Sequence, residues 1–519
     1  MKKGMRKGVL ALALMLAVGM TAAPVQAATA DLAPGEAQEV TFQQKSKITL
    51  KHTKGKNAAD VKVIQRILEK NSSYGTDISK YTDLNNRNHY RWTKKGRLRG
   101  LTLSEAGLQG KLSLKGLTEL SILYVDGNYL SGLNVNKNTK LKELSCDENQ
   151  LSKLDVGKNT KLTMLNCGNN QLSKLDVSKN TELTWLGCVG NKLSKLDVSK
   201  NMKLKELHCW VNELSKLDVS KNTKLKALNC GENKLSKLDV SKNTKLTELF
   251  CFENKLSKLD VSKNIKLVWL FCWKNQFSKL DVSKNIKLKG LKCENNRLSE
   301  LDVSKNIKLT GLNCEGNKLS KLDVSKNTKL AWLDCSKNEL RNLDVSKNIE
   351  FTELYCSENE LGNLDVSKNI GLKELYCYEN ELGNLDVCKN TELTNLECYD
   401  NKLINLDVSK NTNLTALYCD NNKLTSLDLS RNTELMNLGC NGNRLTSLDI
   451  SKNTKLINFD CSVNNLTSLD VSKNTILSWL VCNHNQLTSL DLSNNPWLGP
   501  YNVQCDGNVT VTYYGDNAQ

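Results

Sequence analysis

From Leu141 onward the pattern L-x-x-L-x-C-x-x-N-x-L-x-x-L-D-V-S-K-N-x-x returns every 21 residues, without an insertion, down to the copy that starts at Leu477. Seventeen copies in strict register leave little conformational freedom. A unit of this size cannot close a core by itself, so its leucines must be buried against the copy before and the copy after. The 519 residues, which by length alone would suggest about three domains, therefore describe one elongated body.

The leucine and asparagine skeleton at this period is that of a leucine-rich repeat, with one short strand per unit stacked in parallel. The expected class is an α/β solenoid with a curved parallel β-sheet on its concave face and extended or turn segments on its convex face. Two more units precede the 17: "LSILYVDGNYLSGLNVNKNTK" from Leu120, with Val125 in place of cysteine, and a 22-residue unit from Leu98. The array so defined covers 98–497, about 19 repeats, and a degenerate capping unit is expected at 498–519.

Upstream, 28–97 is expected to form an N-terminal region with a short helical cap. In "NAADVKVIQRILEKN" Ala58, Val61, Ile64 and Leu68 recur at three- and four-residue intervals, and Trp92 lies near the join. Val40, Phe42, Ile48 and Leu50 suggest added strands between Ala37 and His52. Residues 1–27 follow the plan of a secretory signal peptide, with Lys2, Lys3, Arg6 and Lys7 before an apolar run from Val9 to Ala23. That run is too short for a membrane span, and no later one approaches about 18 apolar residues. The expectation is a secreted, extracellular protein without a transmembrane segment. The C-terminal "TVTYYGDNAQ" shows no sorting motif, so any cell-surface association is expected to be non-covalent.

From residue 98 to about 510 the chain resembles bacterial leucine-rich repeat surface proteins, of which the internalins are the best known. The resemblance implies a secretion signal, a helical cap and a non-enzymatic concave sheet that binds partner proteins, often on host cells. The chain departs from internalins in a repeat one residue shorter and in cysteine where leucine is usual, and no wall anchor or wall-binding module is expected.

Seventeen of the 19 cysteines, Cys146 to Cys482, share one repeat position, two residues after an inward-pointing leucine. Strand alternation turns them inward too, as small buried apolar filler. Zinc would want paired cysteines or nearby histidines, and the chain has four histidines. In-register strands hold equivalent Cβ atoms roughly a strand spacing apart, too far for the ~3.8 Å of a disulfide. Equivalent thiols without a base do not make a nucleophile. Cys388 and Cys505 stand off the column.

The asparagines three residues further on, Asn149 to Asn485, are placed to bond the backbone of neighbouring coils. "DVSKN", as at Asp260 to Asn264, copies the start of a calcium loop but lacks its glycine and its twelfth-position glutamate, and reads as a turn. No metal or cofactor is expected. The net charge of +17 comes from lysines in "SKLDVSKNTK", which belong to the turns and the convex side. That placement argues against nucleic acid as a partner, and leaves a solvated face or adhesion to an anionic envelope polymer.

Copies differ from one another at repeat positions 3, 5, 7 and 8, counted from the leading leucine, and these should project from the concave sheet. Positions 3, 5 and 7 hold half of the chain's 28 aromatics. The candidate ligand-binding residues are Trp185, Trp210, Glu248, Phe250, Phe252, Trp269, Phe271, Trp273, Trp332, Tyr355, Tyr376, Tyr378, Tyr399 and Tyr418. Adjacent strands should bring Phe250 to Phe271, Phe252 to Trp273, Tyr355 to Tyr376, and Tyr378 to Tyr399. The four positions also carry 18 acidic residues against Lys274, Lys292 and Lys337, a net of −15 in a basic chain. An exposed, acidic, aromatic face repels phosphate backbones and suits a basic or polar protein. A glycan is the alternative ligand, with the rings stacking on sugars. Hydrolysis by a carboxylate pair such as Glu374 and Glu379 is disfavoured, because unbroken periodicity leaves no insertion to enclose a site.

Overall fold

The computed structural model describes residues 48–72 and 77–516. The expected signal peptide and the proposed strand residues Val40 and Phe42 lie outside that range. Parallel three-residue strands such as Glu248–Phe250 and Trp269–Phe271 pair each residue with the one 21 further on: Glu248 with Trp269, Leu249 with Leu270, Phe250 with Phe271. Together with an antiparallel opening strand, Tyr90–Trp92, they make one 21-stranded sheet. It ends on Val503–Gln504, paired with Trp479–Val481. Among the described residues no helix is long and apolar enough to cross a membrane.

Register at the period of the repeat stacks like on like. Leu246, Leu249, Cys251, Leu256 and Val261 and their counterparts are fully buried, in a single core that runs the length of the solenoid. All 17 column cysteines are free thiols inside it. Burial pushes their acidity down, with Cys188, Cys230 and Cys377 raised to about 12.

The strands end because the polar column takes over. Asn254 Nδ2 donates to the carbonyls of Cys230, Cys251 and Phe252, while its Oδ1 accepts from Leu235 N–H. Irregular chain so close to the core would otherwise bury unpaired amides. The turn motif hides a second column. Asp260 does act as a turn former, accepting the Ser262 N–H at 2.8 Å. Asn264 of the same motif is fully buried, and its Nδ2 donates to Val240 and Asn243 carbonyls at 3.0 Å each.

The helix Ala58–Ser72 covers the first coil. Asn57 caps it, accepting from the N–H groups of Ala59 and Asp60. Its buried face differs from the expected one: Val63, Ile64, Ile67 and Leu68 face the core, and Ala58 is exposed. The rotation follows from Asp60. That carboxylate is buried against Arg97, at 2.9 and 3.0 Å, and accepts Leu98 N–H at 2.8 Å. A buried charge must be paired in this way, and satisfying it fixes which side of the helix faces in.

Candidate functional site: the concave face of the sheet

Positions 3, 5 and 7 alternate with the inward leucine and cysteine, so their side chains stand on the outer face of the sheet. Position 8 would turn inward under strict alternation. It does not, because all 17 residues there adopt a left-handed backbone, from Glu148 (φ 50°) and Glu253 (φ 49°) to His484 (φ 56°). A left-handed residue reverses the chain, so two consecutive side chains leave the core together. Valine fills this position at Val211 and Val463, where a β-branched side chain is strained.

The four expected neighbour pairs are in contact, and they differ in character. Phe250 stacks on Phe271 at 4.6 Å and Phe252 on Trp273 at 4.1 Å, both nearly parallel. Trp269 meets Phe271 edge-on at 6.2 Å. The result is a second, small hydrophobic core on top of the sheet, with Trp210 and Trp269 packed against it. The expectation of exposed rings is corrected for four residues: Phe271 is 2% exposed and Trp273 9%, with Phe250 and Phe252 between them. Glycine makes the closure geometric. Trp269 lies over Gly290, where a Cβ would meet its ring at 2.4 Å, and Trp332 lies over Gly311 equally closely. Trp185, further toward the N-terminus, tilts against His208 at 5.5 Å.

Lys292 lies buried between Phe271 and Trp332, its ammonium 5.6 Å from the Trp332 ring and 5.8 Å from that of Phe271. The other two lysines of the face are also engaged: Lys274 with Glu253 at 3.0 Å, Lys337 with Glu315 at 3.0 Å and Glu358 at 3.5 Å. Burial raises Glu294 to about 8 and Asp334 to about 6, the latter also repelled by Glu315.

Beyond Lys337 the face changes. Tyr355, Tyr376, Tyr378, Tyr399 and Tyr418 are half-buried, with open edges. Tyr355 and Tyr376 meet edge to face at 4.8 Å, while Tyr378 and Tyr399 lie parallel at 4.4 Å. The Tyr355 hydroxyl donates to Glu374 at 2.8 Å and Glu353 at 3.2 Å. Burial, and then the neighbouring Glu374 charge, hold Glu353 and Glu397 above the usual carboxylate range. Glu353, Glu374 and Glu397 form no ion pair among the described residues. Glu379, paired with Glu374 in the hydrolase reading, sits in the left-handed turn and not on the strand.

No protein-family model matches the chain, and no curated protein matches it. Solved structures do. The functional domain of InlJ from Listeria monocytogenes, which includes a cysteine ladder, is 32% identical over 76% of this chain and 75% of its own, with a TM-score of 0.45. This chain belongs with the internalin-like leucine-rich repeat proteins. Two more distant structures share the fold alone with this internalin-like chain. A leucine-rich repeat protein of Leptospira interrogans is 22% identical, covering 72% of this chain and 97% of its own, at a TM-score of 0.58. The Arabidopsis receptor kinase HAESA ectodomain, in complex with an IDA peptide hormone ligand, is 19% identical, covering 83% and 86%, at a TM-score of 0.61.

Sequence reasoning placed every candidate side chain on this face but missed one row outside it, the isoleucines two residues before the leading leucine of several coils. The signal was present in the alternation of "KNTKL" with "KNIKL".

Proposed function

We propose that this chain is an exported, non-enzymatic recognition solenoid that binds a basic segment of a partner protein on the tyrosine and glutamate stretch from Glu353 to Tyr418. One observation carries the reading: Glu353, Glu374 and Glu397 are partly desolvated, lack a cationic partner among the described residues, and are interleaved with half-open tyrosines. Desolvated carboxylates gain most from an incoming Lys or Arg, and tyrosines supply rigid contact area beside them. The peptide seen on the HAESA ectodomain supports the same use of this fold. Adhesion or host interaction is the role that follows if the partner is a surface protein.

The test replaces Tyr376, Tyr378 and Tyr399 together by alanine and measures binding to basic peptide libraries, host surface proteins and glycan arrays. Loss of basic protein ligands supports the reading. Retention of every ligand removes the tyrosine stretch from consideration, and binding confined to glycans moves the same residues to carbohydrate recognition. Export is tested separately by N-terminal sequencing of protein recovered from the medium, with residue 28 as the expected first residue.

A further inference from the structure

On the turn that leads into each strand, most coils carry threonine, but Ile265, Ile286, Ile307, Ile349 and Ile370 occupy that place in a run of six broken only by Thr328. All five are 53 to 62% exposed. At ~4.8 Å per coil they form a row about 24 Å long. Single exposed isoleucines need no explanation, but an aligned row is a costly surface unless something covers it.

The charges around the row say what that is. Exposed lysines stand on both sides of the first three isoleucines: Lys263, Lys284 and Lys305 two residues before, Lys266, Lys287 and Lys308 one residue after. Asp260, Asp281 and Asp302 lie beside the first lysine row and offset one lysine per coil, which leaves each coil positive. Glu350 and Gly371 replace the following lysine after Ile349 and Ile370, so the positive charge is concentrated at the Ile265 end. The isoleucines stand on turns and project from them. A protein helix seeks a groove, whereas a projecting apolar ridge edged with lysine is buried on both flanks only by a deformable, anionic medium.

We propose that this ridge seats the solenoid on the surface of an anionic lipid bilayer, with the isoleucines entering the interfacial layer and the lysines meeting the headgroups. The surface is separate from the concave face and acts whether or not that face binds a partner.

The experiment sediments the purified full chain with vesicles of phosphatidylcholine alone and of phosphatidylcholine with phosphatidylglycerol. The five isoleucines are replaced by threonine, the residue that neighbouring coils carry at the same place, so the fold tolerates the change. The wild type is expected to bind the phosphatidylglycerol vesicles, and the threonine variant to bind them about tenfold less or weaker. Replacing Lys266, Lys287 and Lys308 by glutamine is expected to weaken binding and flatten its salt dependence. Absence of vesicle binding, equal binding by the threonine variant, or capture of an acidic amphipathic peptide in place of vesicles each overturns the proposal.

Discussion

Two stretches of the same sheet, built on the same repeat, have opposite characters. From Phe250 to Trp273 the rings stack, tilt over neighbouring glycine and close out water. From Tyr355 to Tyr418 the rings keep open edges, the Tyr355 hydroxyl is tied to two carboxylates, and the coils between carry no lysine on the strand. Aromatic content therefore does not mark a binding surface by itself. Phe and Trp without a polar partner satisfy one another and become scaffold, whereas tyrosine beside desolvated glutamate remains incomplete until something else arrives.

The largest test of that contrast is stability. Phe271→Ala is expected to cost about 3–4 kcal/mol, as for a fully buried ring, and Tyr376→Ala under ~1 kcal/mol. Hydrogen exchange followed coil by coil reads both, and equal costs would dissolve the distinction. Next in size is binding. Glu353, Glu374 and Glu397 changed together to glutamine should weaken a basic ligand by roughly 10- to 100-fold, about 1.4–2.8 kcal/mol, while Phe271→Leu leaves its affinity alone.

A smaller effect probes how the Phe and Trp rings close. Gly290→Ala puts a methyl into the Trp269 ring and should cost about 1–2 kcal/mol, with a red-shifted tryptophan emission. An unchanged spectrum would mean that the ring does not rest on Gly290.

The smallest is pH dependence. Glu294, near 8, and Asp334 and Asp420, near 6, are all raised by burial, so the folded chain holds protons that the unfolded chain releases. Stability from these groups then falls as pH rises and is gained as pH drops from about 8 to about 5, by roughly 1 kcal/mol per group after screening. The turn carboxylates such as Asp260 have lowered values, so their contribution is lost only in more acidic solution. Coils that carry a carboxyl raised this far, those of Asp147, Glu294, Asp334 and Asp420, should gain exchange protection over that range, and a coil without one, such as that from Leu435, little. Uniform protection would contradict the placement of the raised groups.

Much of this was legible in the repeat. A strict period fixes register, so the partnership of Phe250 with Phe271 and of Tyr378 with Tyr399 follows from counting. Which rings would be open did not follow, because closure depends on tilt over glycine in a neighbouring coil. Burial of Asn264 was hidden because an exposed-turn motif and a buried amide column use the same letters. The left-handed eighth position had a signal in Gly190, Gly316 and Gly442, weakened by the glutamates that share it. The helix face was misread because Asp60 looks like surface until Arg97 is seen beside it.

The bonds that the asparagines make between coils all reach backwards. Asn254 and Asn264 complete the backbone of the coil before their own, and each coil waits for its successor to do the same. A whole unit inserted or deleted leaves every remaining contact of the same kind. The distance between the closed rings near Phe271 and the open ones near Tyr376 can thus change in steps of ~4.8 Å without redesign of either, which makes the chain a ruler whose graduations are set by duplication.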